Sequence, residues 1–247
     1  MSRVEIVENY LASQTQFPED AHKLENPLSG HVDISIIVPI FNEDAVLPNL
    51  LHALENQIYR GFELVVVDNG STDNSLLRLS QFSQKSPFEI VIIKEEKPGI
   101  GNARKLGLDF AVRRVRNRDK TLFRKHALLL TDADVAPPPN WTKVVKEKLD
   151  SLPPSCLSGT HGADPKIEKV ISRGLGLTYY FNKIPSAIEW LQKAKFGIIK
   201  MSGPNASFEI EAYCAGGGMQ QKEDVLDNAV VVKGVSQLGW RAEERGY

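Results

Sequence analysis

Two aspartates one residue apart, Asp132 and Asp134, close the segment HALLLTDADV, His126 to Val135. An apolar run that ends abruptly in acids fits a buried parallel strand, here His126 to Thr131, whose carboxyl end opens into a site. In extended chain, side chains two apart point the same way, so the pair can face one ligand. Two hard carboxylates suit an oxygen-seeking divalent cation, and such a cation suits a diphosphate. The same pair also suits a plain surface turn held by an Asx hydrogen bond. The rest of the chain has to choose between them.

The elements that would position this pair come earlier. Ile34 to Ile40 (ISIIVPI) reads as a first buried strand, with Pro39 marking where pairing stops. A loop, Phe41-Asn42-Glu43-Asp44, leads to a helix that Asp44 or a neighbour caps and that runs to about Gln57. Phe62 to Val67 is a second strand, ending in Asp68-Asn69-Gly70-Ser71-Thr72-Asp73, a tight turn before a helix from Asn74 to about Gln84. Phe88 to Lys94 is a third strand, and Pro98 to Asn102 opens a helix reaching about Arg118. Strands alternating with helices at this spacing imply βαβ crossovers and a mostly parallel sheet flanked by helices. Ligands of such sheets bind outside the carboxyl ends of strands. Polar or glycine-rich residues stand there four times: Asn42 and Glu43, then Asp68, then Gly99 to Arg104, then Asp132 and Asp134. Neither G-x-G-x-x-G nor the P-loop pattern follows the first strand, which argues against both of those nucleotide sites.

Bulk composition narrows the classes. The 247 residues, 42% hydrophobic and 25% charged, suit an ordinary globular α/β protein. A formal net charge of −1 gives no global case for nucleic acid. Cys156 and Cys214 form no metal-ligand spacing or disulfide framework, which fits a reducing cytosol. No stretch approaches the ~20 apolar residues of a membrane span, and the first residues lack a signal peptide's apolar segment. Arg113, Arg114, Arg116, Arg118, Lys120, Arg124 and Lys125 form a basic stretch. It reads as a solvated helix end, or as a patch for anionic headgroups or an anionic acceptor that would bring the protein to a membrane surface.

Residues 1–30 read as a short amphipathic helix and a loop, a leader before the main fold. Beyond the aspartates, Pro137 to Pro139 breaks the chain before a helix from Trp141 to about Leu149, and a short strand near Cys156 to Ser158 follows. Ile167 to about Phe196 reads as helical, or as two helices split near Pro185, with Trp190 able to stack on a sugar ring. Met201 to Phe208 reads as a strand end and loop, and the three glycines within Tyr213 to Met219 as a mobile or close-approach backbone.

Five blocks in order, ISIIVPIFNE, DNGSTD, GIGNARKLGL, LLLTDAD and GPNASFE…AGGGMQQKED, resemble the nucleotide-sugar-dependent glycosyltransferases of the GT-A fold, and within them family 2. The resemblance runs from about Ile34 to Leu226. It implies a single GT-A domain over residues 31–247. Residues 31–136 would be its nucleotide-binding half, and residues 137–247 a short acceptor-side half. It implies that Pro39 and Asn42 line the nucleotide pocket with Glu43 near the ribose, that Asp68 meets the base, and that Asn102 and Arg104 lie by the base and diphosphate. Asp132 would meet the ribose or the metal, and Asp134 would ligate Mn²⁺ or Mg²⁺ directly. Asp224 would be the base and Glu223 an acceptor or structural contact, with Gly217 and Gly218 approaching donor and acceptor. The expected reaction is inverting transfer of a sugar from a nucleoside-diphosphate donor, a UDP-sugar foremost, to a saccharide or lipid-linked acceptor. It would take place in the cytoplasm or peripherally at the inner face of a membrane. Many relatives complete the metal site with a late histidine, whereas this chain has none after His161. Rival readings are a non-catalytic nucleotide-sugar-binding or scaffold protein, and a sugar nucleotidyltransferase.

Overall fold

The computed structural model describes residues 2–14, 21–24, 31–121, 125–151, 155–158, 206–219 and 241–244. In chain order these form α1 (Arg3–Ser13), β1 (Ala21–Leu24), β2 (Ile34–Ile40), α2 (Leu47–Glu55), β3 (Phe62–Asp68), α3 (Ser75–Ser83) and β4 (Glu89–Lys94). Then come α4 (Ile100–Arg118), β5 (Ala127–Leu130), α5 (Trp141–Ser151), β6 (Ser155–Ser158), β7 (Ala206–Glu209), α6 (Ile210–Ala215) and β8 (Arg241–Glu244). The helical expectation for Ile167 to Phe196 lies outside the described residues.

One sheet joins all eight strands in the order β1-β4-β3-β2-β5-β7-β6-β8. Its centre is parallel: β2 pairs with β3 and with β5, and β3 pairs with β4. Strands buried on both faces explain why ISIIVPI and FELVVVD are apolar without interruption. Alternate residues go to opposite faces. Ile37, Val65, Val67, Val91, Leu128 and Leu130 pack with residues of α1, α4 and α6. Ile36, Val38, Leu64, Val66, Ile90 and Leu129 pack with residues of α2, α3 and α5. At Gly107, α4 comes so close to β2 and β3 that an added Cβ would lie 2.5 Å from Ile37 Cγ2 and 2.8 Å from Val67 Cγ2.

Strand order reverses at β2. The chain steps outward through β3 and β4, then returns to add β5 on the other side. Such a reversal opens a crevice at the carboxyl ends of the two strands that flank it. Pro39 behaves differently from the expected stop. Pairing with β3 continues to Ile40 opposite Asp68, while pairing with β5 ends at Ile37 opposite Leu130. The Ile37 carbonyl faces Thr131 and the Ile40 carbonyl faces Asn69. Pro39, two residues beyond Ile37, therefore lacks its N–H on the side where β5 has already ended, and no ladder bond is lost.

The N-terminal segment is built into the fold. The Ser2 hydroxyl accepts from the Glu5 N–H while the Glu5 carboxylate accepts from the Ser2 N–H, a capping box that starts α1. Val7 and Tyr10 enter the core. The Tyr10 and Tyr213 hydroxyls both donate to Asp109 Oδ1, at 2.5 and 2.7 Å. Strand β1 adds an antiparallel edge to β4.

At the amino ends of β2, β3 and β5, a buried polar cluster surrounds Glu63. Ser35 Oγ donates to Glu63 Oε1 at 2.7 Å, so its one proton is committed. It must then accept from His126 Nε2, 2.9 Å away, so that ring nitrogen carries a proton. Burial pushes the Glu63 carboxyl up, yet Arg118 and Arg114 outweigh that and hold it below the usual carboxylate range. Burial pushes His126 down to about 4.

Two stability tests follow. Gly107→Ala should destabilise by about 1–3 kcal/mol through overpacking, beyond the ~1 kcal/mol helix-propensity gain, read as a lower denaturant midpoint. His126 binds its proton in the unfolded chain near the ordinary value of 6.5 but in the folded chain only near 4. Stability is thus fullest above pH 6.5 and falls as pH drops toward 4, by about 3 kcal/mol from this group. Melting temperatures across that window should fall more steeply than those of His126→Gln.

Candidate functional site

The loops that follow β2, β3, β4 and β5 gather at the carboxyl edge of the sheet, and side chains tie them together. Asn42 adopts a left-handed backbone, φ 57, which asparagine tolerates better than most residues. Its Oδ1 accepts from the Thr72 and Asp73 N–H groups at 2.8 and 3.3 Å. Ser71 and Ser75 hydroxyls accept from the Asn42 and Glu43 N–H groups at 3.1 and 2.9 Å. Asp44 does not cap α2, whose N-cap is Val46 without a side-chain bond. Instead the Asp44 carboxylate pairs with Arg78, and its N–H donates to Asp73.

Asp68, 5% exposed at the end of β3, accepts from the Ser71 N–H at 2.9 Å. Asn69 bridges to the next loop: its amide donates to the Glu95 and Lys97 carbonyls at 2.9 and 2.8 Å, and its Oδ1 accepts from Gly99 at 2.9 Å. Asn102 donates to the Pro98 carbonyl at 2.8 Å in the first turn of α4. Pro39 is buried within β2.

The aspartate pair lies in a turn after β5, not on the extended strand, which ends at Leu130. The Val135 N–H closes that turn on the Asp132 carbonyl. The same-side rule for extended chain therefore does not place these two carboxylates. Ala133 between them is buried, Asp134 is exposed, and Asp132 is ion-paired with Arg104. Arg104 is 2% exposed, and its Nε is buried without a partner, as is Thr131 Oγ1. Across the crevice, partial burial first, then the charges of Asp134 and Asp132, raise the Glu43 carboxyl above its ordinary value. Three acids thus crowd the point where strand order reverses, with one buried guanidinium behind them.

Among the described residues, no three His, Cys, Asp or Glu side chains close into a ready ligand set. Two carboxylates with open positions still suit Mg²⁺ or Mn²⁺, which take one or two carboxylates and complete their shell with substrate phosphates. Burial is the main cause of Glu43's raised carboxyl, and the smaller part owed to Asp134 and Asp132 is repulsion a divalent cation would relieve.

Gly217 and Gly218 have φ of 82 and 71, in the turn that ends α6. A side chain at Gly218 would collide with the Tyr10 hydroxyl, and the Met219 N–H donates to the Tyr213 hydroxyl at 3.2 Å. This turn is held from α1 and α4. Trp190, Glu223 and Asp224 lie outside the described residues. Sequence reading missed Asn69, Thr131 and Phe41, whose ring is 59% exposed at the carboxyl end of β2. An exposed aromatic beside a strand end was the available signal for Phe41. For Asn69 the DNG turn masked a second role.

The family model for glycosyl transferase family 2 matches residues 35–216. Over 88 residues, 35% of this chain, the sequence is 32% identical to the minor teichoic acid biosynthesis protein GgaB of Bacillus subtilis. Over 77 residues, 31% of this chain, it is 38% identical to a PGL/p-HBAD biosynthesis glycosyltransferase of Mycobacterium tuberculosis. These alignments cover 10% and 30% of those relatives' own lengths. Among solved structures, a mannosyltransferase from Pyrobaculum calidifontis in complex with GDP-Man and Mn²⁺ superposes with a TM-score of 0.60 at 18% identity. That match covers 98% of this chain and 61% of the other. Glucosyl-3-phosphoglycerate synthase from M. tuberculosis, in complex with Mn²⁺, UDP and phosphoglyceric acid, gives a TM-score of 0.54 at 15% identity, covering 98% and 72%. The fold is GT-A.

The inter-loop role of Asn69 is testable. Asn69→Ala removes two donors' worth of contact and one acceptor, and should lower stability by about 1–3 kcal/mol. Faster amide hydrogen exchange at Gly99 should accompany it, because that N–H loses its acceptor.

Proposed function

We propose that this chain, which belongs to glycosyl transferase family 2, transfers a sugar from a nucleoside-diphosphate donor to an acceptor hydroxyl with inversion. One observation carries the reading: Glu43, Asp132 and Asp134 converge at the reversal of strand order, backed by buried Arg104. That is where a parallel sheet binds ligands, and the Glu43 carboxyl there is raised by partial burial and then by the charges of Asp134 and Asp132.

Asp134, exposed, and Asp132 would hold a divalent cation. When bound, it would neutralise charge on the departing nucleoside diphosphate. Arg104 pairs with the Asp132 carboxylate and orients it, and its buried Nε has no protein partner. Thr131 Oγ1 offers a second unsatisfied group nearby. Phe41 presents an open ring face on which a base can stack. The pinned loop from Asn42 to Asp44, with Asp68 at the root of the next, would frame the base and ribose, and Asn102 begins the helix beside the diphosphate. Inversion requires a carboxylate on the far side of the sugar to take the acceptor's proton. Asp224 is assigned that role by the family resemblance, with Glu223 beside it. Trp190, Gly217 and Gly218 are assigned to the donor and acceptor side on the same ground. A saccharide or lipid-linked hydroxyl is the acceptor class. No helix among the described residues is long and apolar enough to cross a membrane.

A thermal-shift series with UDP, GDP, dTDP and CMP nucleotides, with and without Mn²⁺ or Mg²⁺, tests this directly. One nucleoside diphosphate should raise the melting temperature, and more so with metal; at a hundredfold excess over its Kd the gain is about 2.7 kcal/mol. Asp134→Ala should fold normally, lose the metal-dependent increment, and lose donor turnover by at least about a hundredfold. No shift with any nucleotide would overturn the donor site. A metal response undiminished in Asp134→Ala would overturn the assigned ligand.

A further inference from the structure

The basic stretch in the second half of α4 is not used by the candidate site, and the structure divides it in two. Arg114 and Arg118, four residues apart, turn toward the sheet and pair with buried Glu63 and Glu89. Arg113, Arg116 and Asn117 sit at i, i+3 and i+4, a stripe on another face of the helix, and Lys120 follows just past the helix end. That stripe lines a cleft of about 440 Å³ whose other wall is Glu8 and Leu11 of α1. The two helices lie antiparallel: Asp119 acts on Arg3 near one end, and Lys105 bonds Gln14 at the other. The cleft sits toward the carboxyl end of α4, whereas Arg104 and the candidate site sit at its amino end.

We infer that this cleft is a second binding site, specific for a phosphate-bearing anion. Three cations and one acid line it, so it is locally positive on a chain whose formal net charge is −1. Its volume lies in the range of small-molecule sites, roughly 300–1,000 Å³. Two guanidiniums and an ammonium offer forked and point-like donors matched to phosphate oxygens, and Asn117 adds an uncharged amide. Arg116 is now paired with Glu8. That pair makes the site switchable: an arriving phosphate competes with Glu8 for Arg116. A free phosphorylated compound and a phospholipid headgroup present the same chemistry here.

Titration calorimetry with inorganic pyrophosphate, in chelator so that no divalent cation recruits it elsewhere, tests the site. Vesicle pelleting with phosphatidylcholine alone or mixed with phosphatidylglycerol distinguishes the sources. Arg113→Gln/Lys120→Gln should weaken binding at least about tenfold. Glu8→Gln should tighten it, because it removes the competing carboxylate, and Arg104→Gln should leave it unchanged. Circular dichroism confirms that each variant is folded. Pyrophosphate binding without vesicle binding indicates a soluble ligand, and variant-sensitive binding to phosphatidylglycerol vesicles indicates a headgroup. The inference is overturned if the wild type binds neither probe. It is equally overturned if the double variant binds as well as wild type, or if Arg104→Gln is the variant that loses binding.

Discussion

Strand β2 is hydrogen-bonded along both edges and covered on both faces, and the rest of the structure follows from that constraint. A strand so enclosed has no room for a polar side chain along its middle without a partner. Polar chemistry is therefore pushed to its two ends. At the amino end, Ser35 joins Glu63 and His126 in a closed network that leaves its hydroxyl fully used. At the carboxyl end, β5 stops three residues before β2 does, and the backbone opens into loops. The two ends differ in balance. The amino end pairs its buried carboxylates with arginines from α4. At the carboxyl end Glu43 and Asp134 stand near Asp132, and of these three acids only Asp132 is paired with a guanidinium.

That imbalance gives the carboxyl end its chemical character. Arg104 is anchored by packing along α4 and can neutralise only Asp132. Glu43 and Asp134 remain, one on each side of the crevice. Asn42 ties the loop after β2 to the loop after β3, Asn69 ties that loop to the one after β4, and the Arg104–Asp132 pair ties the loop after β5 to α4. Beyond its partial burial, Glu43 feels the charges of Asp134 and Asp132 already in the free protein, and a cation bound there would offset them.

The parallel core was legible in the sequence because its signal is local: uninterrupted β-branched runs separated by amphipathic helices. The positions of Asn42, Glu43, Asp68, Arg104, Asp132 and Asp134 at strand ends were legible for the same reason. What each side chain faces was not. Asn42 looks the same in sequence whether it meets a ligand or the next loop, and here it meets Thr72 and Asp73. The aspartate pair was placed by strand alternation, but β5 ends one residue early and a turn sets their directions instead. Four-residue strands β1 and β8 and the short helix α6 carry no periodicity of their own; distant partners define them. The basic stretch was read as a solvated helix end or an anion-binding patch, and only the helix register shows that Arg114 and Arg118 turn inward to buried Glu63 and Glu89.

Tyr10 also bears on how the chain is made. Its hydroxyl meets Asp109, 99 residues on, and Tyr213, 203 residues on, and its ring closes over Gly218. During synthesis α1 emerges well before Asp109 of α4 and Tyr213 and Gly218 of the α6 region, which bury Tyr10. Until then its amphipathic face stays open, and loop closure over that span is slow. The helix that begins this structure is thus one of the last pieces to lock. A chain interrupted before the glycine turn would display an unmatched apolar surface, the kind that chaperones and proteases recognise.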